Sequence, residues 1–186
     1  MTDARRSLHV RPNGLRETFR HYIRDLVYGA NDGIITTFAV VAGVTGGNLS
    51  TRAVLVVGVA NLVADGLSMG VGNYLGIRSE ESARARENLP ETEAEPACHG
   101  AATFAAFVVA GAIPLVSYIW PDPVVDRFWL ACGLTFTSLF CIGALRSFVT
   151  TEGWLVNGLE MLGLGVVVAA AAYGSGALIA WLIVEP

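Results

Sequence analysis

Residues 53–77 read AVLVVGVANLVADGLSMGVGNYLGI, and Asp65 is the only charged side chain among them. About 20 helical residues cross the hydrocarbon core of a bilayer, so this stretch is long and apolar enough to span one. Outward from it, residues 26–48, 100–120, 128–145 and 161–184 repeat the pattern, with Asp32 as their only charge. The whole chain of 186 residues is 53% hydrophobic and 15% charged. Soluble domains carry about 25% charged residues. The expected fold is therefore an all-α membrane protein with five transmembrane helices. A soluble enzyme, a secreted disulfide scaffold and a nucleic-acid-binding module are excluded as first readings. The partners expected at this level are the lipid bilayer and small ions, with no nucleic acid. Cys98, Cys132 and Cys141 form no CxxC pair and no even framework.

Charge placement predicts orientation. All 12 basic residues are arginine. Arg5, Arg6, Arg11, Arg16, Arg20 and Arg24 precede span 1, Arg78, Arg84 and Arg86 follow span 2, and Arg146 follows span 4. Only Arg52 and Arg127 fall on the opposite side. A positive-inside bias of this size places the N-terminus in the cytoplasm and the C-terminus outside. Residues 1–25 read as a cytoplasmic Arg-rich tail with no cleavable signal. Residues 26–186 read as one five-span transmembrane domain, with a cytoplasmic loop at 78–99.

The connections fit. Gly46-Gly47-Asn48-Leu49-Ser50 predicts a tight turn, and Pro121-Asp122-Pro123 a break between spans 3 and 4. Residues 78–88 extend the second helix until Leu89-Pro90 ends it. The Glu-rich run 80–95 reads as a solvated linker, and the alternative is that its Glu clusters near Cys98-His99 weakly collect cations.

An acid at the centre of a spanning helix costs about 2.5–3.5 kcal/mol on insertion scales, so it needs a partner, water or an ion. In span 2, Asn61, Asp65, Met69 and Asn73 recur every four residues and share one helical stripe. In span 1, Asp25, Asp32 and Thr36 share a face. At 1.5 Å per residue, Asp32 lies about 9 Å and Met69 about 12 Å from the same membrane face, with Asp65 about 6 Å deeper. Carboxylate plus thioether suits a borderline transition metal better than Mg²⁺ or Ca²⁺. The expected metal ligands are thus Asp32, Asp65, Met69 and Asn61. Each also has a purely structural reading. Asp65 can hydrogen-bond Ser68 or a neighbouring helix, Met69 can pack, and Asn61 and Asn73 can join helices. The small-xxx-small pairs at Gly29/Gly33 and Gly66/Gly70 point to close helix packing. Glu160 reads as an interfacial acid paired with Arg146, and Cys132 and Cys141 as apolar fillers.

Four motifs carry a family resemblance: DLVYGANDGIITTFAVVAG at 25–43, NLVADGLSMGVGNYLGIRSE at 61–80, HGAATF at 99–104 and GLEM at 158–161. Together they resemble the vacuolar iron transporter family. The resemblance implies a homodimer of five-span subunits with an ion pathway at the dimer interface. It also implies export of Fe²⁺ and related divalent metals from the cytosol against inward proton movement. By position, Asp32 matches the family's span 1 acid and Met69 its span 2 methionine, both lining that pathway. Two features depart from the better-known plant pattern. Asn61 stands where those members have Glu, while Asp65 adds an acid one turn closer to Met69. The Glu- and Met-rich cytoplasmic metal-binding domain between spans 2 and 3 is reduced to the 78–99 loop.

The expected function is a divalent-metal/proton antiporter moving Fe²⁺ and Mn²⁺, with no enzymatic activity and no cofactor beyond the transported ion. The membrane is the inner one in a bacterium or the vacuolar one in a eukaryote. Two rival readings are a metal-sensing or scaffolding membrane protein without transport, and a proton-coupled exporter of organic cations.

Overall fold

The computed structural model describes residues 7–120 and 125–184. The helices are α1 Leu15–Gly46, α2 Thr51–Arg86, α3 Pro96–Gly111, α4 Ile113–Ile119, α5 Arg127–Leu145 and α6 Trp154–Val184. Five stretches are long and apolar enough to cross a membrane, and α3 with α4 forms the third. The five expected spans are therefore present, and the chain is an integral membrane protein. Each helical stretch overruns its apolar window at one end or both. α1 starts at Leu15, so Arg16, Arg20 and Arg24 ride on its opening turns rather than in an extended tail. Arg5, Arg6 and the Pro121-Asp122-Pro123 break lie outside the described residues.

The ends have local causes. α1 stops at Gly46, and Asn48 takes a left-handed φ of 54° in the turn that follows. Ser50 then caps α2, its hydroxyl accepting from the Ala53 N–H. α2 runs on past the apolar window to Arg86, and its exit is marked by Asn88 at φ 57°. Asp126 caps α5 by accepting from the Phe128 and Trp129 N–H groups. The interruption between α3 and α4 follows from Pro114, which has no N–H to donate up the helix.

Between helices in lipid, close packing replaces the hydrophobic drive that operates in water. α3 is the central post, and both predicted glycine pairs close on it. A Cβ at Gly29 would meet the Thr103 carbonyl oxygen at 2.5 Å, and one at Gly33 would collide with the Phe107 carbonyl. On α2, Gly66 lies against the Phe104 and Phe107 rings, and Gly70 faces the Gly100 carbonyl. The buried face of α2 is Val54, Gly58, Leu62, Gly66 and Gly70, a strict four-residue repeat. Its far face (Val56, Val59, Val63, Leu67 and Val71) is exposed. A second packing centre joins Phe38, Val41, Val54, Leu115, Tyr118, Ala131 and Cys132. Cys132 is thus a buried filler as expected, whereas Cys141 is exposed. The Arg146–Glu160 pair forms at 3.0 Å.

Candidate functional site

Asp32, Asn61, Asp65 and Met69 are all half-buried, on a rim between the buried and exposed faces of α1 and α2. Asp32 and Asp65 lie within electrostatic reach of each other. Among the described residues, no side chain hydrogen-bonds either carboxylate. The Thr36 hydroxyl donates to the Asp32 backbone carbonyl at 2.8 Å, one turn back along its own helix, and leaves the carboxylate alone. Asp65 likewise does not bond Ser68. Both acids are therefore available to a cation or a proton.

Asn73 and Asp25 belong to a different assembly. Asn73 Nδ2 donates to Asp25 Oδ1 and to Thr103 Oγ1, each at 2.8 Å, so both amide hydrogens fasten α2 to α1 and α3. Asp25, 4% exposed, also meets His99 Nδ1 through Oδ2 at 2.5 Å. Thr103 donates back to the His99 carbonyl at 2.9 Å. Of the face expected to hold Asp25, Asp32 and Thr36, Asp25 is committed to structure. Of the α2 stripe, Asn73 is helix glue.

From His99 the contacts continue outward. His99 Nε2 stands 2.9 Å from Glu93 Oε2. Glu93 also faces His9 Nδ1 at 3.2 Å and His21 Nε2 at 3.5 Å. All three histidines of the chain thus converge on one carboxylate. Residues 7–11 (SLHVR) and 91–95 (ETEAE) run parallel there. Ser7 bridges Glu91, the Leu8 N–H donates to the Glu91 carbonyl at 2.7 Å, and Arg11 meets Glu95 at 2.6 Å. Extended chain places alternate side chains on one face, so Ser7, His9 and Arg11 face Glu91, Glu93 and Glu95 in register. Glu81 steadies this loop, its Oε1 accepting from the Thr92 and Glu93 N–H groups at 3.0 and 2.9 Å.

The reading of 80–95 as a solvated linker is therefore corrected. Glu87 is exposed, but Glu93 and Glu95 are partly buried and paired. Burial alone would raise the Glu93 carboxyl. The Glu95 N–H at 2.8 Å and the His99 and His9 rings outweigh it and hold Glu93 below the ordinary carboxylate value. Sequence reasoning did not single out His9 and His21. The signal was the alternation itself, Glu-x-Glu-x-Glu matched by Ser-x-His-x-Arg, which acquires meaning only once the two segments are paired.

The class defined by this architecture is an integral membrane protein of five apolar spans, with two unpartnered acids inside them. The sequence profile of the VIT family matches residues 23–94 and 82–177, and the chain belongs to that family. It is 28% identical to Vacuolar iron transporter 1 of Arabidopsis thaliana, covering 81% of this chain and 83% of that protein. It is also 28% identical to Vacuolar iron transporter homolog 1 of Oryza sativa subsp. japonica, over 82% of this chain and 72% of that protein. A shorter match, 44% identical, covers 41% of this chain and 28% of the Vacuolar iron transporter of Toxoplasma gondii. The Arabidopsis alignment extends over 208 residues against 186 here, so that relative carries inserted residues that this chain lacks.

Proposed function

We propose that this protein exports divalent metal, Fe²⁺ and Mn²⁺, from the cytosol in exchange for protons, with its N-terminus cytoplasmic and its C-terminus outside. The observation that carries the proposal is the pair Asp32 and Asp65, acids in apolar helices with no hydrogen-bonding side chain among the described residues. Such a pair is costly unless it serves an ion. The names of the relatives, all iron transporters or homologues of one, supply the substrate class.

Competition is the mechanism. Ionised, Asp32 and Asp65 bind the metal with Met69 and Asn61, and protonation releases it. A nearby cation favours the charged form, while the apolar surroundings favour the neutral one, so each acid switches between the two. One subunit offers four donors on an exposed rim. A homodimer closing over the bare apolar face of α2 would double them and shield them from lipid. Proteoliposomes test the reading: a pH gradient, acidic on the side to which the metal is delivered, should drive Fe²⁺ accumulation on that side. No gradient-dependent flux in folded protein would leave the sensor or scaffold reading in its place.

A further inference from the structure

We propose that His9, His21 and Glu93 form a second divalent-metal site, outside the apolar windows, where the extended segment 7–11 meets the loop between α2 and α3. One ligating atom from each of the three lies within 4.8 Å of the other two. Two ligands each about 2.1 Å from one ion at the tetrahedral angle stand about 3.4 Å apart. His9 Nδ1 lies 3.2 Å from Glu93 Oε1 and His21 Nε2 lies 3.5 Å from Oε2, one imidazole at each carboxylate oxygen and each near that value. His9 turns Nδ1 to Glu93, and its side chain is only 6% exposed. His21 Nε2, the atom it turns to Glu93, is buried with no hydrogen-bond partner, and a bound cation would satisfy it.

The carboxylate is ready for this role. Glu93 is held ionised by its surroundings and fixed in place by Glu81, Glu95 and His99. His99, anchored through Nδ1 on Asp25, acts as a positioning residue behind Glu93. Metal sites depend on such outer contacts for ligand orientation. Two imidazoles and one carboxylate select borderline ions such as Fe²⁺, Co²⁺ or Zn²⁺ over Mg²⁺ and Ca²⁺. Three protein ligands leave a position open, which suits an ion that must also depart. The site stands at the end of the bundle that holds Asp25, with its α1 ligand His21 about 16 Å along the helix from Asp32. It is independent of the transport reading, because binding here requires no passage through the membrane.

Co²⁺ binding to the full-length protein in detergent tests the site, with the spans silenced by D32N, D65N and M69L together. This background should still bind a single Co²⁺ per chain with the visible absorption of a low-coordinate ion. Adding H9Q, H21Q or E93Q should weaken that binding at least tenfold and remove the absorption. R11Q, which breaks the Arg11–Glu95 pair and touches no ligand, should leave the affinity within about twofold. Unchanged Co²⁺ binding in all three ligand variants would overturn the site. So would a loss in R11Q as large as in H21Q, since strand docking would then explain everything. Failed Fe²⁺ flux with intact Co²⁺ binding overturns only the transport reading, and the converse result overturns only this one.

Discussion

His99 and Asp25 are 74 positions apart in sequence and meet at 2.5 Å, Nδ1 to Oδ2, in the buried joint between α3 and α1. The other carboxylate oxygen takes the Asn73 amide from α2, so one side chain ties three helices at one level. This joint links the spans to the histidine cluster, because the opposite nitrogen of His99 faces Glu93.

The joint predicts a clear cost for Asp25→Asn. A carboxylate accepts on both oxygens, whereas an amide accepts on one and donates on the other. The variant must therefore turn a donor either toward the Asn73 amide, where two donors meet, or toward His99, whose Nδ1 accepts only in the other tautomer. Either way a buried hydrogen bond to a charged carboxylate is lost, worth about 1.5–3 kcal/mol. Thermal unfolding of the detergent-solubilised protein should show a lowered midpoint for D25N. A midpoint matching wild type would mean that the joint is not what holds these helices.

Gly33→Ala should be among the most damaging small substitutions in the chain. Its new Cβ would collide with the Phe107 backbone carbonyl, and backbone cannot swing aside as a side chain can. Overpacking of this kind costs about 1–3 kcal/mol. Gly72→Ala is the matched control, since nothing lies within 4 Å of its added Cβ. It should hold or raise stability, because alanine favours a helix interior by up to about 1 kcal/mol over glycine. Equal unfolding midpoints for G33A and G72A would contradict the α1–α3 packing described here.

The spans were legible because membrane insertion imposes length and apolarity on contiguous residues. The glycine pairs, the Ser50 and Asn88 boundaries and the Arg146–Glu160 pair were legible because they depend on local geometry or adjacent ends. Asn73 shows where spacing stops deciding. It shares the four-residue repeat with Asp65 and Met69, yet its amide is spent on Asp25 and Thr103. Periodicity places a residue on a face, but the neighbouring helix decides what that face touches. The histidine cluster was illegible for a stronger reason. His9, His21 and Glu93 come from an extended strand, a helix start and a loop, and no single repeat spans all three.

Glu93 makes stability pH-dependent with a defined sign. Its carboxyl is held below the ordinary value in the folded protein, so it contributes stability above the unfolded value near 4.5. That contribution is lost as pH falls through the folded value. Wild-type protein should therefore lose unfolding midpoint between pH 5 and more acidic buffers more steeply than Glu93→Gln, which has nothing there to titrate. Glu87→Gln, at an exposed position, should follow the wild-type curve. Parallel curves for wild type and E93Q would show that Glu93 is not held ionised by its neighbours.

Asp32 and Met69 should fail in different ways, and that difference tests the proposed ion path. Asp32→Asn preserves shape but removes both charge and proton exchange, so it should abolish gradient-driven flux of every metal. Met69→Leu preserves approximate volume and removes the one soft donor on the stripe. Thioether ligands favour softer ions, whereas Mn²⁺ is content with oxygen. M69L should therefore reduce Fe²⁺ and Co²⁺ flux several-fold while sparing Mn²⁺. The measurement is initial uptake of each metal into proteoliposomes, with both variants first shown to keep the wild-type elution position in detergent. Equal reduction of all three metals by M69L would make the residue a packing element, consistent with its half-buried position. Proton-driven flux surviving in D32N would remove Asp32 from the path and leave the exchange to Asp65.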